Sequence, residues 1–111
     1  MFPDLVLTTN NEMRQSTPEP GLTRLIGAYN EKLLLAEHRM QAGWTGAAHS
    51  HPHDQMAYVI SGHLRIRAGE QTFEVHQGDS FAIKGGIEHQ ASAIENSVVI
   101  DVFTPYREDY V

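Results

Sequence analysis

The fold is decided by one stretch of the sequence, Gly46-Ala47-Ala48-His49-Ser50-His51-Pro52-His53-Asp54-Gln55. Side chains two positions apart on a strand project from the same face, so the imidazoles of His49 and His51 can reach one ion. Pro52 ends that strand, and a turn then brings Gln55 to the start of the next strand, where its carbonyl oxygen can complete part of a coordination shell. His89, which follows a glycine pair, is the expected fourth ligand. The stretch therefore predicts a site for one divalent metal ion among β-strands.

Beyond this stretch, apolar and polar residues alternate with the period of a β-strand. The clearest hairpin runs through residues 64–67, turns near Gly69 and returns through residues 72–76. Its inward face is expected to consist of Leu64, Ile66, Phe73 and Val75. Residues 98–103 are apolar on both faces apart from Asp101, as expected for a central strand that carries one unusual carboxylate.

Many short strands separated by glycine turns, without crossover helices, indicate an all-β protein. No window shows a sustained apolar period of 3.6, so little helix is expected. The predicted fold class is an antiparallel sandwich or β-barrel of jelly-roll type. Because 111 residues leave room for one hydrophobic core, we expect one domain in total.

Within that domain, residues 1–30 are predicted to form an N-terminal extended arm or edge strands, because breaker residues cluster there. Residues 31–111 are predicted to form the barrel. The last residues, 105–111, are mixed in charge and either dangle or fold over the barrel mouth. We expect the second arrangement, a C-terminal tail over the mouth.

Composition excludes several classes of function. Fourteen acidic against eight basic side chains give a formal charge of -6, which argues against a nucleic-acid partner. No apolar run approaches the roughly 18 residues of a membrane span, and the N-terminus lacks the pattern of a secretory signal, so no membrane partner and a cytoplasmic location are expected. Without cysteine, a transition metal must be held by imidazole, carboxylate or amide groups.

The other histidines have weaker claims to the metal. His53 shares the parity of the first two ligands, but the turn at Pro52 should break that face, so His53 is expected outside the ligand shell or in solvent. His38, His63 and His76 have no motif partners and are expected at the surface. An isolated pair of strand histidines is also typical of a solvated surface pair, so the metal prediction depends on the second motif.

The residues resemble the two motifs of the cupin family. The first runs from a glycine through two histidines and an acid or amide to a glycine, and here consists of Gly46, His49, His51, Gln55 and Gly62. The second consists here of Gly78, Gly86 and His89, with Lys84 where proline is usual and Ala93 where asparagine is often found. The resemblance implies a cupin barrel with one divalent transition metal ion, for which nickel, manganese, iron, zinc and cobalt are all suitable.

From about Arg24 to the C-terminus the chain is similar to the KdgF-type pectin-degradation cupins. The similarity is carried by residues 49–55, 101–103 and 105–110. It implies ring opening of unsaturated monouronates from pectin or alginate to linear keto sugars, an isomerisation without a redox cofactor. Glutamine replaces the glutamate common in cupins, which leaves a neutral ligand set and favours an anionic sugar substrate at the ion.

Three residues beyond the ligands are candidates for this chemistry. A carboxylate on an otherwise apolar strand faces either the cavity or an unfavourable core, so Asp101 is the candidate for proton transfer. Arg107 is the candidate for binding the substrate carboxylate and for catalysis, and Phe103 for lining the sugar pocket. The alternatives are an Asp101–Arg107 salt bridge that only holds the tail, and a plain core aromatic. Trp44 and Tyr58 flank the first motif and either stack on a sugar or pack the barrel.

Two other functions use the same features. A metal held by histidines with open positions also activates oxygen, so a cupin dioxygenase is the main enzymatic alternative. A non-catalytic small-molecule-binding cupin is the alternative from another class. The resemblance to small cupins further implies a homodimer that buries an apolar face of the sheet.

Overall fold

Nine β-strands form two sheets in the computed structural model, which describes residues 2–111. The strands are β1 (Arg14–Glu19), β2 (Leu22–Tyr29), β3 (Leu34–Met40), β4 (Asp54–Ser61), β5 (His63–Ala68), β6 (Gln71–His76), β7 (Ser80–Ile83), β8 (His89–Ala93) and β9 (Ser97–Thr104). The larger sheet has the order β1-β2-β3-β9-β4-β7, and the smaller has the order β6-β5-β8. Every pairing is antiparallel, which confirms the predicted all-β antiparallel jelly-roll class.

Helix is limited to two 3-10 turns, Asn10–Glu12 and Glu108–Tyr110, within residues 2–111. In that part of the chain, no helix has the length and apolar character needed to cross a membrane. The low helix content agrees with the sequence, because period-two alternation stabilises strands and leaves no apolar stripe for a helix to bury.

The central strand of the large sheet is β9, as the sequence predicts. Its inward positions carry Val99, Asp101 and Phe103, all of which are buried. The cross-strand neighbours of Asp101 are Ala36 on β3 and Ala57 on β4. Both neighbours are alanines, and their small side chains leave space around Asp101. Its carboxylate therefore has room to project into the interior.

The small sheet contains the predicted hairpin. β5 and β6 pair from His63–His76 to Ala68–Gln71, and Gly69 adopts a φ of +58° in the turn, a conformation that favours glycine. The inward residues of the hairpin belong to the main core cluster or pack against it, as expected: Leu64, Ile66, Phe73 and Val75.

The jelly-roll fold is present, but its sheets are not closed into a barrel. The two sheets pack face to face but are not joined into a continuous ladder. The segment between β3 and β4 forms only two isolated bridges, Thr45↔Ser92 and His49↔His89, so the expected strand through the two histidines is a single bridge. Gly43 has a φ of +91°, and Pro52 lacks the N–H of a ladder, so this segment cannot form a long strand.

The terminal segments pack against the large sheet. Of the first thirty residues, β1 forms the edge of that sheet, and β2 contributes Ile26 to a second core cluster with Leu34 and Phe103. At the other end, the Glu108–Tyr110 turn lies beside the cavity, where the carbonyl of Tyr110 accepts a hydrogen bond of 2.7 Å from Arg14.

Candidate metal centre

Three histidines from two chain segments meet at one end of the cavity between the sheets. The backbones of His49 and His89 exchange two hydrogen bonds of 3.0 and 2.9 Å, which hold both residues side by side. The carbonyl of His51 accepts a hydrogen bond of 2.8 Å from the N–H of Gly86, which joins the two motifs a second time. One ring nitrogen from each of His49, His51 and His89 lies within 4.8 Å of the others, so the three can hold one metal ion.

The hydrogen bonds of the three rings select the same tautomer. In each ring, Nδ1 lies 2.9–3.1 Å from a main-chain carbonyl oxygen, which can only accept, so Nδ1 carries the hydrogen. The lone pair is therefore left on Nε2, as in most metal-binding histidines. The carbonyls that accept belong to Ala47 for His49, to His53 for His51 and to Ile87 for His89.

Gln55 brings a fourth acceptor to the cluster. Its side-chain Nε2 donates to Asp101 Oδ1 at 2.9 Å, so its Oε1 is turned the other way and lies 3.1 Å from Nε2 of His51. Two acceptor atoms that face each other at this distance repel unless a cation lies between or beside them. Three imidazole nitrogens and one amide oxygen suit a divalent transition metal ion, so the donor set fits such an ion.

The protonation of the rings agrees with this donor set. Burial lowers the pKa of His51, and the positive charges of Arg107 and His89 lower it further. Burial also lowers the pKa of His89, although the hydrogen bond to Ile87 acts in the opposite direction. Both rings are therefore neutral near pH 7, which is the form that binds a metal.

Asp101 lies next to this cluster and is 5% exposed. Oδ2 accepts a hydrogen bond of 2.7 Å from Nδ1 of His38, and Oδ1 accepts the bond from Gln55. Within residues 2–111, no ion pair joins Asp101 to Arg107, so the salt bridge considered as an alternative role for Asp101 is not formed. The carboxylate is instead held by the side chains of His38 and Gln55 at the wall of the cavity.

Arg107 lines the cavity and is 7% exposed. Nε and Nη2 donate to the carboxylate of Asp109 at 3.0 and 2.7 Å, and this hydrogen bonding lowers the pKa of Asp109. The guanidinium lies 4.8 Å from the ring centre of Phe103 and 4.1 Å from that of Tyr110. Its Nη1 atom is buried without an acceptor among the described residues. A buried donor without a partner is uncommon in a folded protein, so this atom stands out among the polar groups around the cavity.

Phe103 is almost fully buried and lies against the metal cluster. Its ring is 5.6 Å from that of His51 in an edge arrangement, and it packs under Arg107. Phe103 also lines the cavity, so it forms part of the core and part of the binding wall at the same time.

The cavity has a volume of about 420 Å³, within the range of small-molecule sites. Its polar lining includes His49, Gln55, His89, Asp101, His38, Arg24 and Arg107. Its apolar lining includes Leu22, Met40, Leu64, Ile66, Phe81 and Val99. Three of the four candidate metal ligands, the acid and two guanidinium groups therefore line the same cavity.

The expectation that His38 lies at the surface is wrong. The residue is 9% exposed, and its ring bonds to Asp101 on one side and to Arg24 on the other. The alternation of Leu34, Ala36, His38 and Met40 along β3 is a sequence signal for this position. Three apolar residues place that face of the strand in the core, so the histidine that shares the face must point inward. Arg24, which binds His38, carries no comparable signal.

The remaining histidines and aromatic residues lie outside the cluster or at its margin. His63 and His76 stack at 4.2 Å on the small sheet, and neither lines the cavity. The carbonyl of His53 orients His51, as described above. Trp44 lines the cavity and donates from its indole to Glu19 at 2.6 Å. Tyr58 points out of the large sheet and is 47% exposed, so it cannot stack on a ligand inside.

Comparison with known proteins finds the same fold and similar sequences. The family model described as the cupin domain matches residues 36–103. The pectin degradation protein KdgF of Dickeya dadantii (strain 3937) is 31% identical over 93 residues, which cover 82% of this chain and 84% of that protein.

Two solved structures are similar over nearly their whole length. The structure of KdgF from Halomonas sp. matches with a TM-score of 0.88 at 31% identity and covers 96% of this chain and 98% of its own. An RmlC-like cupin from Shewanella frigidimarina NCIMB 400 matches with a TM-score of 0.89 at 27% identity and covers 95% of both chains.

Proposed function

The chain belongs to the cupin domain family and is a relative of the pectin degradation protein KdgF, and on this premise we propose that it opens the ring of unsaturated monouronates. The products would be linear keto uronates, and the substrates would come from the breakdown of pectin or alginate. The family resemblance predicted from the two motifs is confirmed. The reaction and its residues are our proposal.

One observation carries the proposal. A cluster of candidate metal ligands, a carboxylate held by two hydrogen bonds and a guanidinium all line one cavity of about 420 Å³, and Nη1 of that guanidinium is buried without an acceptor. An unsaturated monouronate offers a matching set of groups: a carboxylate, a ring oxygen on which charge develops, and an anomeric hydroxyl that must lose a proton. The volume suits a single sugar ring.

The chemistry sets what the residues must do. The substrate is a hemiacetal whose ring oxygen is attached to a carbon–carbon double bond. The anomeric hydroxyl loses its proton and becomes the carbonyl of an aldehyde, while the bond from the anomeric carbon to the ring oxygen breaks. The electron pair of that bond stays on the oxygen as an enolate, and a proton added to the alkene carbon converts the enolate into a ketone. Atoms and electrons are conserved, so no oxidant is needed.

We assign the proton transfers to Asp101, whose carboxylate can take the hydroxyl proton and return it to carbon. Arg107 binds the substrate carboxylate through Nη1, the donor without a protein acceptor. Phe103 supports that guanidinium from below and forms the adjacent wall of the sugar pocket.

The metal ligands in this proposal are His49, His51, Gln55 and His89. A divalent transition metal ion held there would supply positive charge that stabilises the enolate oxygen. Gln55 also connects the two halves of the site, because the amide that offers its oxygen to the ion donates its hydrogen to Asp101.

The test follows the ultraviolet absorbance of the conjugated double bond in an unsaturated galacturonate monomer. Metal-loaded protein should accelerate its loss above the spontaneous rate, also without oxygen, while His49→Ala and Gln55→Ala should not. His76→Ala, which changes an exposed histidine outside the cavity, is the matched control. No acceleration by metal-replete protein would contradict the proposal, and oxygen uptake during turnover would favour the dioxygenase instead.

We also propose a homodimer that forms through the outer face of the large sheet. Met56, Tyr58 and Ile60 point outward from β4 and are 58%, 47% and 45% exposed. Beside them, outward residues of β9 pair in register, with Val102 opposite Met56 and Ile100 opposite Tyr58. A continuous apolar patch of this kind marks an interaction surface, and a face of one sheet can bury the same face of a second copy around a two-fold axis.

A further inference from the structure

On the side of Asp101 away from Gln55, a line of hydrogen bonds runs along the cavity from β2 through β3 to β9. Nε of Arg24 donates to Nε2 of His38 at 3.0 Å, and Nδ1 of His38 bonds to Oδ2 of Asp101 at 2.7 Å. We propose that Arg24 and His38 are positioning residues that orient Asp101 for proton transfer. This inference rests on the proposed function, because the proton-transfer role of Asp101 belongs to it.

The direction of each hydrogen bond follows from the first donor. A guanidinium has five N–H donors and no acceptor, so Nε2 of His38 must accept from Arg24 with its lone pair. The ring hydrogen is then on Nδ1, from which it is donated to Asp101. Arg24 thus selects the tautomer of His38 that carries its hydrogen on Nδ1. In this tautomer, Nδ1 donates to Asp101 and cannot accept from it.

Packing holds this line in place. His38 and Asp101 are both buried, and their strands are adjacent, with Ala36 directly opposite Asp101. Tyr110, from the C-terminal turn, covers the line: its ring centre is 3.8 Å from the guanidinium carbon of Arg24 and 6.2 Å from the ring centre of His38. The three groups that face His38 from the neighbouring elements are therefore Arg24, Asp101 and Tyr110.

The consequence for Asp101 is a fixed carboxylate. One oxygen accepts from His38 and the other from Gln55, so rotation about the bond to the carboxylate carbon would break two hydrogen bonds in a buried site. Each oxygen keeps a further lone pair for the substrate. Reactive groups need this kind of orientation, because a misplacement of about 1 Å costs about 100-fold in rate.

The experiment uses two amides that imitate different halves of the imidazole. The amide nitrogen of His38→Asn occupies the place of Nδ1 and still donates to Asp101, whereas the amide of His38→Gln occupies the place of Nε2 and reaches only Arg24. His38→Leu removes both contacts at similar volume. All three are compared as metal-loaded proteins, with melting temperature and metal affinity measured beside kcat and KM.

If His38 positions Asp101, His38→Gln and His38→Leu should lower kcat about 100-fold with little change in KM. The kcat of His38→Asn should be about tenfold or more above the kcat of either variant. Equal kcat for all three, or losses that follow melting temperature instead of the position of the amide, would overturn the inference. A purely structural role predicts that dependence on stability.

A spectroscopic measurement separates this inference from the proposed function. In zinc-loaded wild-type protein, the ring ¹⁵N shifts of His38 should show a protonated Nδ1 and an unprotonated Nε2, and Arg24→Met should produce a mixture of tautomers. An Nε2–H tautomer in the wild type would overturn the inference whatever the substrate. If the wild type shows the expected tautomer but does not open uronates, the proposed reaction is refuted. The inference that His38 orients Asp101 would still stand.

Discussion

Gly85 lies so close to Pro52 that a Cβ atom on Gly85 would be 2.1 Å from the carbonyl oxygen of Pro52. Only glycine permits this approach, and it connects the two segments that carry the histidines. The next residue, Gly86, donates to the carbonyl of His51 from the same turn. The segments that carry the histidines are therefore brought together by a contact between main-chain atoms, which leaves no space for a side chain on Gly85.

We predict that Gly85→Ala lowers both stability and metal affinity. The new methyl group would overlap main-chain atoms, which cannot rotate away, so the loss should be about 1–3 kcal/mol in unfolding free energy. Denaturant unfolding and metal titration would measure both effects. Gly27→Ala is the control, because its nearest contact is the flexible end of Leu35 at 3.0 Å. An unchanged metal affinity in Gly85→Ala would contradict the importance of this contact.

We predict that divalent transition metals raise the melting temperature of the wild type. An ion that binds only the folded chain stabilises it by about 2.7 kcal/mol at a hundredfold excess over its dissociation constant. His89→Ala should lose this response, since one of the three clustered ring nitrogens is removed. His76→Ala should keep it. A shift of equal size in His89→Ala would place the ion elsewhere.

We predict that Gln55→Glu separates metal binding from catalysis. The carboxylate still offers an oxygen to the cluster, so metal affinity should be kept or increased. The hydrogen bond that Gln55 donates to Asp101 is lost. Two carboxylates would then lie close together and repel, because Nε2 of Gln55 is only 2.9 Å from Oδ1 of Asp101 in the wild type. We therefore expect kcat for uronate ring opening to fall.

Gln55→Ala provides the comparison for this variant. It should lose metal affinity as well as activity, because both the oxygen and the hydrogen-bond donor are gone. Calorimetric metal titration beside the ultraviolet assay distinguishes the two variants. Full activity of Gln55→Glu would show that the hydrogen bond to Asp101 has no part in the reaction.

We predict different kinetic effects for the two polar residues assigned to the substrate. Asp101→Asn keeps the size of the side chain but removes the proton acceptor, so kcat should fall by about 10²–10⁴-fold with KM little changed. Arg107→Lys keeps the charge but loses the fork that binds a carboxylate, so the main effect should be a higher KM. Steady-state kinetics would test both. A loss of kcat alone in Arg107→Lys would contradict its binding role.

We predict that the protein in solution has twice the mass of the chain. Tyr58→Glu places a charge in the centre of the exposed apolar face of β4 and should produce monomers, measured by light scattering after gel filtration. Glu74→Gln, on the small sheet away from this face, is the control. A wild-type monomer at micromolar concentration would refute the proposed dimer.

Local sequence accounts well for the elements around the site. Alternation predicted the hairpin of β5 and β6, and a run that is apolar on both faces predicted the central strand β9, because both patterns depend only on neighbouring residues of one strand. The spacing of the motifs predicted that His49, His51 and His89 converge, and Gln55, the second residue of β4, lies beside them. Local sequence did not reveal that the two sheets stay unjoined, because closure of the ladder depends on how a glycine-containing segment meets a distant strand.

The sequence alone determined the hairpin of β5 and β6 with its inward face, the central strand β9 and the types of metal donor, since these follow from residue chemistry and short spacings. The tertiary structure decided which distant groups meet. His38 and Asp101 are 63 positions apart, and Gln55 and Asp101 are 46 positions apart. A spacing in the chain carries no information on such contacts, because the packing of two sheets and a terminal turn sets the hydrogen-bond partners of each buried polar group.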